Sequence, residues 1–94
     1  MVFPLIVRRI TGQSMLPALA DGQLVLGLRI LRNLKKGSVV IVHHNDSEKI
    51  KRIHKICKNG QIELRGDNIA LSTDSRHFGL IDRDSIIAKV IGVY

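Results

Sequence analysis

The sequence is short of cysteine, aromatic residues and long apolar segments, and each shortage excludes a class of protein. Its one cysteine, Cys57, cannot form an internal disulfide or a cysteine-only metal site, and a lone thiol fits a reducing compartment. Phe3, Phe78 and Tyr94 are its only aromatic residues, too few for the stacking platforms of single-strand nucleic-acid binders. No apolar run reaches the roughly 18–20 residues of a transmembrane helix, and residues 1–7 are too short for a signal-peptide core. We therefore expect a cytoplasmic protein with no transmembrane anchor that does not bind nucleic acid.

Positive charge exceeds negative charge. Fifteen Lys and Arg residues stand against eight Asp and Glu residues, which gives a formal net charge of +7 at pH 7. Such a balance favours an acidic partner, and we expect part of the excess to attract an acidic protein substrate. The basic residues available for association with an anionic surface are Arg8, Arg9, Arg29, Arg32, Lys35 and Lys36.

The length and the apolar pattern predict one mostly β domain over residues 1–94, because the apolar runs are short, rich in Val and Ile, and separated by Gly, Asn and Asp. The predicted strands are Leu5–Thr11, Gln23–Arg29, Ser38–His43, Glu48–Cys57, Gln61–Arg65 and Ser85–Val93. The strand Glu48–Cys57 also fits a short helix, since Ile50, Ile53 and Ile56 recur every three residues, but its β-branched content favours a strand. The continuous apolar run 39–42 predicts a strand covered on both faces, as in a small barrel or a folded-over sheet.

Two segments interrupt this pattern of strands. Residues 12–17 are small and polar around a serine, and residues 66–79 are rich in hydroxyl, carboxylate and glycine groups. Long loops in small domains are usually functional or disordered, and the many charges that can pair in 66–79 favour an ordered loop.

The residues of these two segments, together with a lysine between them, form four motifs in a particular order. The motifs are Gly12, Ser14, Met15 and Pro17; Lys51 and Arg52; Gly66, Asp67 and Asn68; and Ser72, Asp74, Ser75, Arg76, Phe78 and Gly79. In type, spacing and order they resemble the motifs of the type I signal peptidases, a family of Ser/Lys proteases. The resemblance covers nearly the whole chain and implies the small, barrel-like, folded-over antiparallel sheet of that catalytic core.

The resemblance also implies the catalytic roles. Ser14 becomes the nucleophile, Lys51 the general base, and Ser72 the residue that orients the lysine amine. Lysine can act as a base only when it is neutral, which requires burial to lower its pKa. Main-chain N–H groups of Gly12, Gln13 and Ser14 are the expected oxyanion donors, since Gly12 stands where some relatives have a serine donor.

The remaining motif residues have expected structural roles. These residues are Met15, Pro17, Arg52, Gly66, Asp67, Asn68, Asp74, Arg76 and Gly79. Of these, Arg52, Arg76, Asp67 and Asp74 are expected to form ion pairs that hold the long loop beside Lys51, and the sequence leaves open which arginine pairs with which aspartate. His43 and His44 are adjacent on a strand and point to opposite faces, so they make a poor chelating pair, and we expect neither a metal nor another cofactor.

The chain is shorter than a typical signal peptidase. Fourteen residues join Lys51 to Gly66, where the larger members carry an inserted second β domain. This minimal form looks most like the small soluble maturation proteases of nickel-type superoxide dismutase, which implies a serine endopeptidase that removes an N-terminal pro-sequence from a protein precursor. The alternatives are a leader peptidase fragment that has lost its membrane anchor and a non-catalytic basic β-barrel that binds nucleic acid. A self-cleaving repressor fits less well, because thirteen residues before Ser14 do not supply a DNA-binding module and a cleavage segment. The oligomeric state stays open.

Overall fold

Six strands and three short helical turns make up the described part of the chain, residues 4–94 of a computed structural model. The strands are β1 (Leu5–Arg9), β2 (Leu24–Leu28), β3 (Val39–His44), β4 (Ser47–Ile56), β5 (Ile62–Arg65) and β6 (Ile86–Val93). The helix α1 (Ser75–Phe78) lies between 3-10 turns at Ile69–Leu71 and Arg83–Ser85. The mostly β prediction is confirmed, and each predicted strand is present with ends that differ from the prediction by at most two residues. The segment that also fitted a helix is the ten-residue strand β4.

The strands form one antiparallel sheet in the order β1-β2-β6-β3-β4-β5. The sheet does not close into a barrel, because β1 and β5 remain its two edges. In a flat sheet β1 and β4 would lie about 19 Å apart, at four strand spacings of about 4.8 Å. Arg8 on β1 nevertheless forms an ion pair of 2.5 Å with Glu48 on β4. The sheet is therefore folded over, as predicted, and brings β1 against the first half of β4.

The central strand β3 is covered on both faces. Ile41 packs into one buried cluster and its neighbours Val40 and Val42 pack into a second. The first cluster is formed by Ile6, Ile10, Met15, Leu19, Val25, Ile41 and Ala88. The second is formed by Val40, Val42, Ile53, Ile62, Leu64, Ile81 and Ile86. The continuous apolar run of this strand is explained by these two cores, since neither of its faces meets water.

Candidate active site

A cleft of about 330 Å³ opens between the end of β1, the bend that follows it and the first half of β4. Its lining residues are Arg8, Arg9, Ile10, Thr11, Ser14, Met15, Glu48, Lys49, Ile50 and Lys51. The fold thus brings the predicted nucleophile Ser14 and the predicted base Lys51 to the walls of one cavity, although they belong to different elements.

The bend that carries Ser14 is anchored on both sides. Gly12 has a φ of +83°, a left-handed conformation that glycine adopts without steric cost, and its N–H donates to Asp21 Oδ1 at 2.7 Å. Met15 is 2% exposed and packs into the first core. Because Asp21 accepts from Gly12, that N–H is already engaged. Among residues 4–94, Gln13 and Ser14 are the two predicted oxyanion donors whose N–H has no acceptor.

The third motif packs directly against the serine bend. The main-chain N–H of Asn68 donates to the Ser14 carbonyl at 2.8 Å, and its side-chain amide donates to the Gln13 carbonyl at 3.1 Å. A Cβ atom on Gly66 would lie 2.5 Å from the Cβ of Ser72 and 2.6 Å from the Ser14 carbonyl oxygen. Such distances are far below van der Waals contact, so only glycine allows the three motifs to meet here.

Asp74 is the centre of the fourth motif. Its fully buried carboxylate accepts hydrogen bonds from the Ser72 hydroxyl at 2.9 Å, from the Gly66 N–H at 2.9 Å, and from the Arg76 guanidinium at 2.9 Å through both Nε and Nη2. It also caps α1 by accepting from the Arg76 N–H at 3.1 Å. Burial acts to raise the pKa of Asp74, but the Arg76 side chain and the other donors outweigh it and hold that pKa well below its ordinary value. Asp74 is therefore a fixed negative charge.

The second ion pair of the loop joins Arg52 on β4 to Asp67. Arg52 Nε and Nη2 donate to the two carboxylate oxygens at 2.8 and 2.7 Å, and Arg52 Nη1 donates to the Gly37 carbonyl at 2.8 Å. This bidentate geometry is among the strongest that an arginine can form. The pairing that the sequence left open is thus Arg52 with Asp67 and Arg76 with Asp74.

Lys51 is unusual because its side chain is only 5% exposed. Desolvation by burial lowers its pKa from the ordinary value of 10.5, and the charges of Lys49 and Arg76 lower it further. The carboxylate of Asp74 acts in the opposite direction without reversing the shift. At a given pH the neutral amine, which is the form that can accept a proton, is therefore more populated for Lys51 than for an exposed lysine.

The hydrogen bonds of residues 4–94 do not join Ser14 to Lys51, nor Ser72 to Lys51. The Ser72 hydroxyl instead donates a hydrogen bond to Asp74, since a carboxylate is a stronger acceptor than a neutral amine. Toward Lys51, the Ser72 oxygen can therefore only accept a hydrogen bond.

The sequence matches the family model described as Peptidase S24-like over residues 3–91. The chain belongs to the Peptidase S24-like family. No curated protein matches the sequence. The match confirms the resemblance to the Ser/Lys peptidases at the level of the family, and the matched range contains Ser14, Lys51 and Ser72. Family membership supports a serine peptidase in general.

The predicted motif residues Pro17 and Gly79 of this S24-like domain do not line the cleft. Pro17 is exposed in the turn after Ser14, and Gly79 ends α1 with a φ of +88°. His43 is exposed, whereas His44 packs against Phe78 with ring centroids 4.9 Å apart. Within residues 4–94 no group of three or more His, Cys, Asp or Glu side chains is placed to hold a metal ion. No helix in the same range is long and apolar enough to cross a membrane.

Four charged residues that line the cleft of the S24-like domain were not predicted as site residues from the sequence. They are Arg8, Arg9, Glu48 and Lys49. Lys49 precedes Lys51 by two positions on a strand, so the two side chains share a face and strand alternation could have found it. The β1 residues carried no comparable signal, because their contact with β4 depends on the folding over of the sheet.

Proposed function

We propose that this S24-like domain is a serine endopeptidase in which Ser14 is the nucleophile and Lys51 is the general base. The observation that carries the proposal is the burial of Lys51 in the cleft that Ser14 also lines. A serine hydroxyl is a weak nucleophile until a neighbouring base removes its proton. A lysine whose pKa is lowered by burial is neutral in a larger fraction of molecules than an exposed lysine at the same pH, so Lys51 is the better placed to act as that base.

The reaction follows from these two groups. The neutral Lys51 amine takes the Ser14 proton as Ser14 Oγ attacks the substrate carbonyl carbon, and the N–H of Ser14 stabilises the oxyanion. The resulting Lys51 ammonium then gives its proton to the leaving amine, which breaks the peptide bond. Lys51, neutral again, removes a proton from the water that attacks the acyl-enzyme, and it returns that proton to Ser14 Oγ as the ester bond breaks and the acid product leaves. The Ser72 hydroxyl already donates its hydrogen bond to Asp74, so its oxygen accepts a hydrogen bond from the Lys51 amine. This contact orients the lone pair of Lys51 toward Ser14.

An extended peptide fits the cleft because two unpaired strand edges border it. β1 is a sheet edge that pairs with β2 alone. On the opposite wall, residues 47–51 of β4 pair with β3 alone, because β5 pairs only from Arg52 onward. A substrate strand between them would gain main-chain hydrogen bonds from either wall, and its scissile bond would lie beside Ser14.

The substrate that we propose is a protein precursor that loses an N-terminal pro-sequence, specifically the pro-form of nickel-type superoxide dismutase. The support is the similarity of the four motifs to those of the small maturation proteases and the fourteen-residue link between Lys51 and Gly66. The four hydrogen-bonded motifs described above show that so short a link still allows Gly66 to meet Ser14.

The test uses the purified protein with two substrates, an unprocessed nickel-type superoxide dismutase and a generic signal-peptide precursor, and mass spectrometry to locate each cut. We expect a cut in the dismutase precursor. Ser14→Ala should abolish it, and Lys51→Met should lower the rate by about 10²–10⁴-fold because the general base is lost. Ser72→Ala should have a smaller effect, and a chelator should have none.

Four results would count against parts of the proposal. Inhibition of the enzyme itself by a chelator, or near-normal cleavage by Lys51→Met at neutral pH, would overturn the Ser/Lys mechanism. A cut in the signal-peptide precursor alone would replace the dismutase with a leader peptide as the substrate. Tight binding of nucleic acid by wild type and Ser14→Ala alike, without cleavage of either precursor, would support the non-catalytic alternative. Circular dichroism of each variant checks that the fold is kept.

A further inference from the structure

The walls of the cleft carry more positive than negative groups. Arg8, Arg9 and Lys49 are basic, and Glu48 is the one carboxylate among the lining residues. Lys51 is not counted among the positive groups, because the proposed general base is the neutral amine. The imbalance is local to the cleft and is separate from the net charge of the chain.

Arg8 and Glu48 compensate each other, whereas the other two basic groups have no acidic partner. Arg8 Nε lies 2.5 Å from Glu48 Oε1. Arg9 Nη1 donates to the Gly22 carbonyl at 2.8 Å. Among residues 4–94, no carboxylate lies within 4.0 Å of the cationic groups of Arg9 or Lys49.

Lys49 is also held in place. Its ammonium donates to Ser47 Oγ at 2.6 Å and to the His44 carbonyl at 3.4 Å, and it lies 5.4 Å from the centre of the Phe78 ring. Neutral acceptors and a ring face orient a cation without cancelling its charge. The ammonium group therefore remains available to a carboxylate that enters the cleft.

Arg9 and Lys49, whose cationic groups have no carboxylate partner, belong to opposite walls of the cleft. Arg9 is the last residue of β1, just before the Ser14 bend, and Lys49 precedes Lys51 by two residues on β4. Both residues line the same cavity as Ser14. A peptide that pairs with these edges places the side chains nearest its scissile bond between Arg9 and Lys49, and opposite charges on neighbouring strands attract.

We infer that the cleft selects peptide segments that carry an aspartate or glutamate within about three residues of the scissile bond, with Arg9 and Lys49 as the residues that recognise the carboxylate. This inference rests on the proposed function, because it places the cleaved peptide between β1 and β4. It does not depend on which precursor is the natural substrate.

The experiment first incubates the wild-type protein with a proteome-derived peptide mixture and locates cuts by mass spectrometry. It then compares matched peptides that differ only by glutamate or glutamine beside the cut. We expect about a tenfold higher kcat/KM for the glutamate peptide at about 0.05 M salt, and a smaller ratio at about 0.5 M salt, where screening is stronger.

Substitutions in the protein test whether Arg9 and Lys49 cause the preference for glutamate over glutamine. Arg9→Gln and Lys49→Gln should each reduce the glutamate-to-glutamine ratio, and Arg9→Glu should favour a lysine peptide instead. Using a ratio cancels any effect of Lys49 on the base, since both peptides meet the same Lys51. Lys58→Gln is the matched control, because it removes one exposed lysine outside the cleft and should leave the ratio unchanged.

The outcomes separate this inference from the proposed function. Cleavage with a ratio near one, or an equal loss of preference in Lys58→Gln, overturns the inference and leaves the peptidase intact. Binding of the two peptides to Ser14→Ala, measured by fluorescence anisotropy, provides a readout that does not need catalysis. Tighter binding of the glutamate peptide there, without cleavage by wild type, supports the recognition and overturns the peptidase. Equal binding of the two peptides overturns the recognition.

Discussion

At the residue scale, Lys51 links the chemistry of the domain to its stability. Burial lowers the pKa of Lys51 in the folded state from its ordinary value of 10.5. Between those two pKa values the unfolded chain binds more protons than the folded one, so the free energy of unfolding rises with pH. The penalty for burying the charged form is therefore largest at low pH and disappears as the pH approaches 10.5.

Lys51→Met should test this linkage. Methionine fills a similar volume without a charge, so we expect the variant to be more stable than wild type at about pH 7 and the difference to shrink as the pH rises toward 10.5. Urea unfolding at a series of pH values measures it, with Lys58→Met as the control for losing an exposed lysine. A stability difference that is constant with pH would contradict the proposed burial effect on Lys51.

The partners of the charged residues show the limit of sequence reasoning at this scale. Arg52, Asp67, Asp74 and Arg76 were all identified from their motifs. Their pairing was not, because either arginine has the reach and charge to bind either carboxylate. The choice follows from position, since Arg52 lies on β4 beside Asp67 whereas Asp74 is sealed within the loop with Arg76.

At the element scale, the two edges of the sheet differ in accessibility. The loop after β5 covers that edge: the N–H groups of Ile62, Leu64 and Gly66 donate to Ile81 O at 2.8 Å, to Ser75 Oγ at 2.8 Å and to Asp74 Oδ2 at 2.9 Å. A covered edge cannot pair with another strand. The loop therefore leaves strand addition to β1, which ends beside the Ser14 bend, and to residues 47–51 of β4, with which β5 does not pair.

Gly66→Ala should test whether the close packing of this loop against the Ser14 bend is needed for activity as well as for stability. The new Cβ would meet Ser72 and the Ser14 carbonyl oxygen, so we expect a loss of about 1–3 kcal/mol in the free energy of unfolding. Displacement of Ser14 and Ser72 should reduce kcat/KM by about 100-fold. Both quantities are measured on the same preparation, by urea unfolding and peptide cleavage.

Gly92→Ala is the matched control for this substitution. Its Cβ would approach mainly the ring of Tyr94 at 3.3 Å, and that side chain is 76% exposed and free to move aside. We expect near-normal activity for this variant. Normal activity in Gly66→Ala would show that the contact between the third and fourth motifs does not position the serine.

At the scale of the whole molecule, one sheet supports two cores. β3 contributes Ile41 to the first core, which contains Met15, and contributes Val40 and Val42 to the second core. Because the same strand belongs to both, loss of either core removes support from the other. We therefore expect the described part of the chain to unfold as one cooperative unit.

Ile41→Val and Ile53→Val test this cooperativity, since each removes one methylene group from a different core. Each should destabilise by about 1 kcal/mol and lower the Tm by about 4–8 °C. Calorimetry should show one transition in both variants, shifted by similar amounts. Two transitions, with only one of them moved by each substitution, would show that the cores unfold independently.

The strands could be predicted from the sequence, because the apolar pattern and the glycine turns are local properties of the chain. The candidates Ser14, Lys51 and Ser72 came from the resemblance of the four ordered motifs to those of the Ser/Lys proteases. The tertiary structure alone decided the contacts between distant segments. It engaged the Gly12 N–H with Asp21, directed the Ser72 hydroxyl to donate a hydrogen bond to Asp74, and brought Arg9 to the cleft that Lys49 and Lys51 also line. These contacts depend on how far the sheet folds over, and that curvature is set by the packing of both cores together.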